Sequence, residues 1–230
     1  MEIIYTASYQ PDIVLFGLRI GQPMMVLTDL LVAGVCLYGW RVTPSKPAGA
    51  MLCRLFFLFT GLSMLVSALL GHAFTYTLPR AGVLPGWLFG VLGVSAMEQA
   101  AIERTRHLYR EGVGKILTWL NAAKAGLAFW FVSSTLWFPA VEIHAAAGML
   151  LMVAPLEAFL RYKTGDKSSK HILYGIGLLL LAVSVFIVKW VPSRWMGFTD
   201  IAHVIMSFAI WQIALGGLRM NQTVASAAES

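Results

Sequence analysis

The sequence predicts an all-α fold, a polytopic membrane protein built as a bundle of seven transmembrane helices. Two observations predict it. Long apolar runs recur along the whole chain, and charged residues are concentrated in the short segments between them. Hydrophobic residues make up 58% of the 230 residues and charged residues only 12%, whereas a soluble domain carries about twice that share of charge. We therefore expect one membrane domain and no separate soluble domain.

A helix needs roughly 20 apolar residues to cross the ~30 Å hydrocarbon core of a bilayer. Seven stretches meet or nearly meet this length, at residues 23–40, 50–74, 84–105, 117–138, 140–160, 172–191 and 197–218. The predicted domain organisation is an N-terminal interfacial segment (1–22), the membrane domain (23–220) and a disordered C-terminal tail (221–230). Residues 1–22 are mixed in polarity, and we expect a short interfacial helix among them.

The distribution of Lys and Arg predicts how the chain is oriented. One side of the predicted bundle carries Arg41, Lys46, Arg54, Arg104, Arg106, Arg110, Lys115, Arg161, Lys163, Lys167, Lys170 and Arg219, and the other carries only Arg19, Arg80, Lys189 and Arg194. Basic loops stay in the cytoplasm, so we expect the N-terminus outside and the C-terminus inside. The net charge of +6 is explained by this topology signal, and nucleic acid is not an expected partner.

Membrane lipids are the partners that the apolar spans imply. The loops are small, and the first residues contain acidic Glu2 and Asp12 without the basic region of a signal peptide. These features favour a bacterial inner (cytoplasmic) membrane as the location.

Five ionisable residues on four predicted spans share the outer half of the membrane; they are Asp29, His72, His144, Asp200 and His203. From the rise of a helix, Asp29 lies roughly 9 Å below the outer boundary. Asp200 and His203 are three residues apart and share a helix face. An ionisable group inside a bilayer is costly and needs a partner or a wet cavity, so the cluster indicates a functional site. Each histidine taken alone is equally well explained as a hydrogen bond between helices.

A second polar group is predicted deeper in the membrane. Glu98 and Gln99 lie in the inward half of the third span, and Asn121 and Lys124 lie in the fourth. The two spans are consecutive and antiparallel, and the depths of the two pairs nearly match. We therefore predict an ion pair between Glu98 and Lys124, which either holds two helices together or forms part of a proton or ligand path.

Three imidazoles from three helices can hold one zinc ion and leave its fourth position open. We predict His72, His144 and His203 as the zinc ligands, and Asp200 as a general base or as the residue that orients a ligand. Asp29 can reach the same cavity as a further catalytic residue. Inside a membrane, such a site suits the hydrolysis of a lipid-like amide or ester that enters laterally from the bilayer.

Two short segments carry a resemblance to a known family. The second predicted span ends with Ser67-Ala-Leu-Leu-Gly-His72, and the last begins with Phe198-Thr-Asp-Ile-Ala-His203. With seven spans and an outside N-terminus, these segments resemble the alkaline ceramidase/adiponectin-receptor superfamily of membrane metal hydrolases. The resemblance covers the architecture and these two segments, and it implies zinc-dependent hydrolysis of a lipid.

The sequence also departs from the pattern of that superfamily. The superfamily shows Ser-x-x-x-His on the second span, and here Ala68 stands at the serine position. It shows His-x-x-x-His on the last span, and here His203 is flanked at that spacing by Thr199 and Ser207. A zinc site in this chain would therefore need His144 or Asp200 to supply the missing ligand.

Two other classes of function fit the same residues. Any two of the three outer histidines could ligate a haem b axially, with Arg80 and Arg194 at the surface to meet its propionates. Alternatively, the chain is a non-enzymatic seven-helix receptor or an accessory subunit, packed against a membrane protein partner or a second copy. Small residues in the fourth span and the pair Gly216-Gly217 would permit such close helix packing.

Overall fold

The structure is a computed structural model that describes residues 10–228, without the side chains of residue 80 and residues 221–228. Over this range the chain is helical apart from one short hairpin and the connecting loops, which confirms the all-α prediction. Seven helices of the described residues are long and apolar enough to cross a membrane: Pro23–Val42, Ala48–Ala73, Ala81–Leu108, Glu111–Thr135, Pro139–Thr164, Lys167–Val188 and Phe198–Met220. Each of them contains most of one predicted span.

The regular α-helices are α1 (Pro23–Val42), α2 (Ala48–Val66), α3 (Leu84–Thr105), α4 (Glu111–Thr135), α5 (Pro139–Ala147), α6 (Ala154–Thr164), α7 (Lys167–Val188) and α8 (Phe198–Ala228). The largest shift from the predicted bounds is at the end of α8, which continues to Ala228 and not to residue 218. Helix α4 begins at Glu111 and not at residue 117. Its first turn is supported by the ion pair between Glu111 and Lys115, 2.7 Å long. It ends where Leu136 adopts a left-handed conformation, three residues before Pro139.

Two stretches of π-helix interrupt the α-helices. The first, Ser67–Ala73, continues α2 to its outer end and contains His72. The second, Gly148–Val153, joins α5 to α6 so that the two form one continuous span. Such stretches are rare in proteins and are concentrated at functional sites, because they change the direction in which side chains leave the helix.

Residues 13–20 form a β-hairpin, so the expectation of an interfacial helix there is wrong. Strand β1 (Ile13–Leu15) pairs antiparallel with β2 (Leu18–Ile20). The turn residues Phe16 and Gly17 both have positive φ, 51° and 79°, as a tight two-residue hairpin requires. The β-branched and large apolar residues on either side of this turn favour strands. Residues 1–9 lie outside the described part of the chain, so the rest of the predicted interfacial segment stays a prediction.

The core lies between α1, α2, α3, α7 and α8. Helix α7 packs along α8, α2 along α3, and α1 along both α2 and α8. Glycine permits the closest of these contacts, since a Cβ at Gly175 of α7 would lie 2.8 Å from the backbone oxygen of Ala209 in α8. Helix α4 packs mainly against α3 and α5 and lies at the edge of the bundle, with Trp119, Leu127 and Trp130 exposed.

Candidate functional site

Asp29, His72 and His203 converge at the end of the bundle that contains the hairpin. Nδ1 of His203 lies 2.9 Å from Oδ1 of Asp29, and Nε2 of His72 lies 3.6 Å from its Oδ2. The carboxylate is fully buried, whereas the two histidine side chains are each about a fifth exposed, at 18% and 19%. Three helices therefore deliver one carboxylate and two imidazoles to one place, as the sequence predicts for these three residues.

The fold explains how these residues meet. Asp29 lies in the second turn of α1, which packs against both α8 and the first π-helical stretch. His203 lies in the second turn of α8, on the side that faces α1, and Oγ1 of Thr28 is 3.5 Å from its Nδ1. His72 lies near the end of the π-helical stretch, where the backbone departs from the regular spacing of an α-helix.

Gln22 fixes the orientation of His72. Its Oε1 lies 2.6 Å from Nδ1 of the imidazole. Because an amide oxygen only accepts, Nδ1 carries the proton of a neutral His72, and the lone pair of Nε2 is left on the side of Asp29. Gln22 reaches this position from a left-handed backbone conformation, with φ 43°, at the residue before α1. Such a conformation is strained for a residue other than glycine and is frequent at functional sites.

Asp200 lies beside this cluster and is held by Gln10. Nε2 of Gln10 donates to Oδ2 of Asp200 over 2.7 Å, and the backbone N–H of Gly197 donates to the same oxygen over 2.7 Å. Oε1 of Gln10 accepts from the backbone N–H of Met24 in the first turn of α1. One buried side chain thus ties the start of α1 to the start of α8. Asp200 lies three residues before His203 on α8, which places it next to the cluster.

The buried carboxylates are not fully satisfied by these contacts. Within the described residues, neither oxygen of Asp29 nor Oδ1 of Asp200 has a hydrogen-bond partner. The 2.9 Å approach of His203 to Asp29 is therefore a charge contact and not a well-aligned hydrogen bond. Neither carboxylate pairs with any Lys or Arg whose side chain is described. Two buried carboxylates beside two imidazoles leave a surplus of negative charge, which a proton or a metal cation would neutralise.

His144 does not join the other two histidines. It is buried against α3, where its Nε2 lies 3.3 Å from both the backbone oxygen of Val91 and Oγ of Ser95. The fifth span packs mainly against α3, α4 and α7. Similar depth in the membrane brought His144 into the predicted ligand set, but depth carries no information on helix order around the bundle. A zinc site built from His72, His144 and His203 is therefore not assembled in this structure.

The predicted ion pair between Glu98 and Lys124 is confirmed. Nζ of Lys124 contacts Oε1 of Glu98 and lies 3.4 Å from the backbone oxygen of His144. Glu98 is fully buried, and its Oε2 has no partner among the described residues. Asn121 donates to the backbone of Ser95 over 3.0 Å. This polar interface holds the peripheral helix α4 against α3.

Gln10 and Gln22 are the site residues that sequence reasoning missed. Both precede the first apolar span, and their partners in the site, Asp200 and His72, lie far away along the chain. Glutamine is common and carries no charge, so no pattern distinguishes these two from ordinary surface residues. Asp29 was found because a carboxylate within an apolar run is conspicuous.

As the side chains stand, no three His, Cys, Asp or Glu residues of the described chain form a group that could hold a metal ion. The donor set is nevertheless of a suitable kind, because two imidazoles and one carboxylate are the protein ligands of many catalytic zinc sites. The unpaired oxygens of Asp29 and the free Nε2 of His72 are the atoms that would bind. The residues present therefore fit a zinc ion in chemistry.

The fold and the site together define a seven-helix bundle with a buried His–Asp cluster at one end. Residues 24–222 of the chain match a protein family described as a family of unknown function (DUF6962). The match covers most of the chain, which therefore belongs to this family. A comparison with curated proteins finds no match.

Proposed function

We propose that the chain is an integral protein of a bacterial cytoplasmic membrane, with its N-terminus outside and its C-terminus in the cytoplasm. The seven long apolar helices support insertion. The concentration of Lys and Arg at the ends opposite the hairpin supports the orientation. In this orientation, the cluster of Asp29, His72 and His203 lies near the outer surface.

Within this membrane protein, the cluster is the active site of a metal-dependent hydrolase that acts on a lipid-like amide or ester. The observation that carries the proposal is Asp29, a fully buried carboxylate with two unpaired oxygens that lies between imidazoles from two other spans. Asp29, His72 and His203 would hold the zinc ion. This set replaces His144 of the predicted ligands by Asp29.

A zinc ion in such a site supplies Lewis acidity, which polarises a carbonyl group and activates water. The residues of the chain supply position and proton transfer. Gln22 keeps the proton of His72 on Nδ1 and so keeps Nε2 available as a ligand. Oδ1 of Asp200 is buried and unpaired while its Oδ2 is held by two donors, so Asp200 is oriented to accept a proton.

The exposure of the two histidines supports a substrate that comes from the bilayer. Each imidazole keeps about a fifth of its surface open, although Asp29 between them is closed off. The flanking outer surface of α1 is apolar, with Leu27, Leu30 and Leu31 exposed. A lipid that approaches from the bilayer would contact the apolar surface of α1 before it reaches the polar cluster.

The geometry favours a metal ion over a haem in this cluster. Asp29 contacts both imidazoles at the place where a porphyrin between them would have to lie. A receptor or an accessory subunit needs no bound metal. Purified protein without metal would therefore favour this second class of function.

Metal analysis of histidine variants tests the proposal. The detergent-purified protein is expected to contain about one zinc per chain, and His203→Ala and Asp29→Asn are each expected to lose it. His144→Ala is the matched control, since it removes another buried intramembrane histidine and should leave the metal content unchanged. Circular dichroism and gel filtration would verify that each variant folds.

Wild-type protein without metal after zinc supplementation would contradict the proposal. Loss of metal in His144→Ala with retention in His203→Ala would contradict the ligand set. If metal is present as proposed, lipid amides and esters are the substrates to test, with Asp200→Asn expected to lose activity while it keeps the metal.

A further inference from the structure

The β-hairpin of residues Ile13–Ile20 exposes an apolar tip that packs against nothing in the described structure. Phe16 is 94% exposed, Val14 73%, Leu18 58% and Leu15 52%. No charged residue lies between Ile13 and Leu18, although Asp12 and Arg19 flank this stretch. Single exposed apolar residues are common on protein surfaces, but several together on one small element indicate a contact surface.

The backbone conformation of Phe16 at the tip is unfavourable for an aromatic residue. Phe16 has φ 51°, in the left-handed region that bulky residues avoid, and hairpin turns of this kind usually place Asn or Asp there. An aromatic ring at such a position gains almost nothing from packing against the described residues. A function at the tip would explain why it is retained.

The base of the hairpin is fixed to the segment that contains His72. The backbone N–H of Gly21 donates to the backbone oxygen of Ala73 over 3.0 Å, and the hydroxyl of Tyr76 donates to the backbone oxygen of Arg19 over 2.8 Å. A Cβ at residue 21 would lie 2.9 Å from the backbone oxygen of His72, so glycine permits this approach. The salt bridge between Arg19 and Asp12 closes the base on the other side.

We propose that the apolar hairpin inserts into the outer leaflet of the membrane, beside the mouth of the His–Asp site. This inference rests on the membrane insertion and orientation given under Proposed function. The occupant is lipid because the hairpin lies just before the first span in the chain, and that span itself exposes the apolar side chains of Leu27, Leu30 and Leu31.

The hairpin can enter only the interfacial layer. Within residues 10–228 its two strands pair only with each other, so their outer edges carry backbone groups that must reach water or lipid headgroups. Apolar side chains of interfacial elements reach about 5–10 Å into the boundary between headgroups and acyl chains. Since the hairpin is fixed to the segment of His72 and to Gln22, this anchor holds the site at the depth of lipid carbonyl groups.

Spin-label accessibility of the full-length protein in phosphatidylcholine vesicles tests the inference. Cysteine replaces Phe16, and two control variants carry it at Leu27 on the outer face of α1 and at Ser193 in the exposed loop before α8. The native Cys36 and Cys53 are buried and should stay unlabelled. Phe16→Cys disturbs no packing, because the native ring is exposed.

The expected result is that the label at residue 16 behaves like the label at residue 27, more accessible to oxygen than to a water-soluble nickel complex. The label at residue 193 should show the opposite preference. A label at residue 16 that behaves like residue 193, while residue 27 is in lipid, would overturn the hairpin inference alone. Preference for the nickel complex at both 16 and 27 would also overturn the membrane insertion on which it rests.

Discussion

Asp29 shows how much a single buried residue can imply. A carboxylate without hydrogen bonds in the interior of a helix bundle would cost several kcal/mol if nothing neutralised it. His72 and His203 are the only groups described beside it that can carry positive charge or share a cation. The residue is therefore either a metal ligand or one member of a protonated His–Asp–His group. Both states depend on how the imidazoles are oriented, and Gln22 orients the imidazole of His72.

Gln22→Asn is expected to weaken zinc binding about 10–100-fold, as removal of an outer-shell partner typically does. Asparagine tolerates the left-handed backbone, but its side chain is one methylene shorter and no longer reaches Nδ1 of His72. Competition with a chelator of known affinity would measure the change. Zinc affinity equal to that of the wild type would show that Gln22 does not orient the imidazole.

At the scale of the elements, buried charge joins helices at the end of the bundle opposite the hairpin. Arg104 of α3 lies 3.0 Å from Glu157 of α6 and 3.1 Å from Asp166, the residue that caps α7. It also donates to Ser168 over 2.6 Å. A guanidinium with several donors in one plane is suited to such a junction. Arg104 thereby fixes α3 to both α6 and α7, beside the short turn that connects the latter two.

The acid response of Asp166 tests this junction. Burial opposes its ionisation, but the charge of Arg104 and the hydrogen bonds from Ser168 and Ser169 outweigh burial and hold the pKa of the carboxyl below its usual value. A carboxyl with a lowered folded-state pKa stabilises the fold above its unfolded pKa of about 4, and this stabilisation disappears as the pH falls through the lower folded value.

Asp166→Asn is therefore expected to lower the free energy of unfolding by about 1–3 kcal/mol at neutral pH. The difference from the wild type should stay constant down to about pH 5 and shrink below about pH 4. Thermal unfolding in detergent across this pH range would measure it. Asp12→Asn is the control, because its salt bridge with Arg19 is largely exposed and should contribute less than about 1 kcal/mol. A pH-independent difference would contradict the role of the charge.

At the scale of the molecule, the two ends of the bundle differ in charge and in chemistry. The end with Arg104 carries most of the Lys and Arg, and the other end carries the hairpin and the His–Asp cluster. The proposed orientation places the cluster outside. A site that faces the outer leaflet would meet lipids of that leaflet and not cytoplasmic metabolites.

Cysteine labelling of intact cells tests this orientation. Ser193→Cys, in the loop before α8, should react with a membrane-impermeant maleimide added from outside. Lys163→Cys, at the opposite end of the bundle, should react only after the cells are permeabilised. Both positions are exposed, so access and not burial decides the result. Labelling of residue 163 without permeabilisation would reverse the proposed topology.

The number and approximate limits of the helices could be predicted because each depends on local composition. Span α3, for example, begins and ends at the predicted residues 84 and 105. Asp29, His72 and His203 could also be singled out, since charge and imidazole are conspicuous among apolar residues. The hairpin could not, because the choice between a short helix and two strands depended on the turn at Phe16 and Gly17 and on the contact of Gly21 with Ala73.

The sequence by itself determined an all-helical chain with seven long apolar helices, because apolar composition and charge act on each segment separately. It also determined the pairing of Glu98 with Lys124, since consecutive antiparallel helices must be neighbours. Only the tertiary structure decided which histidines meet. The order of helices around a bundle depends on packing between distant segments, which brings α1 against α8 and leaves His144 against α3. For the same reason only the tertiary structure revealed Gln10 and Gln22, whose partners lie 190 and 50 residues away along the chain.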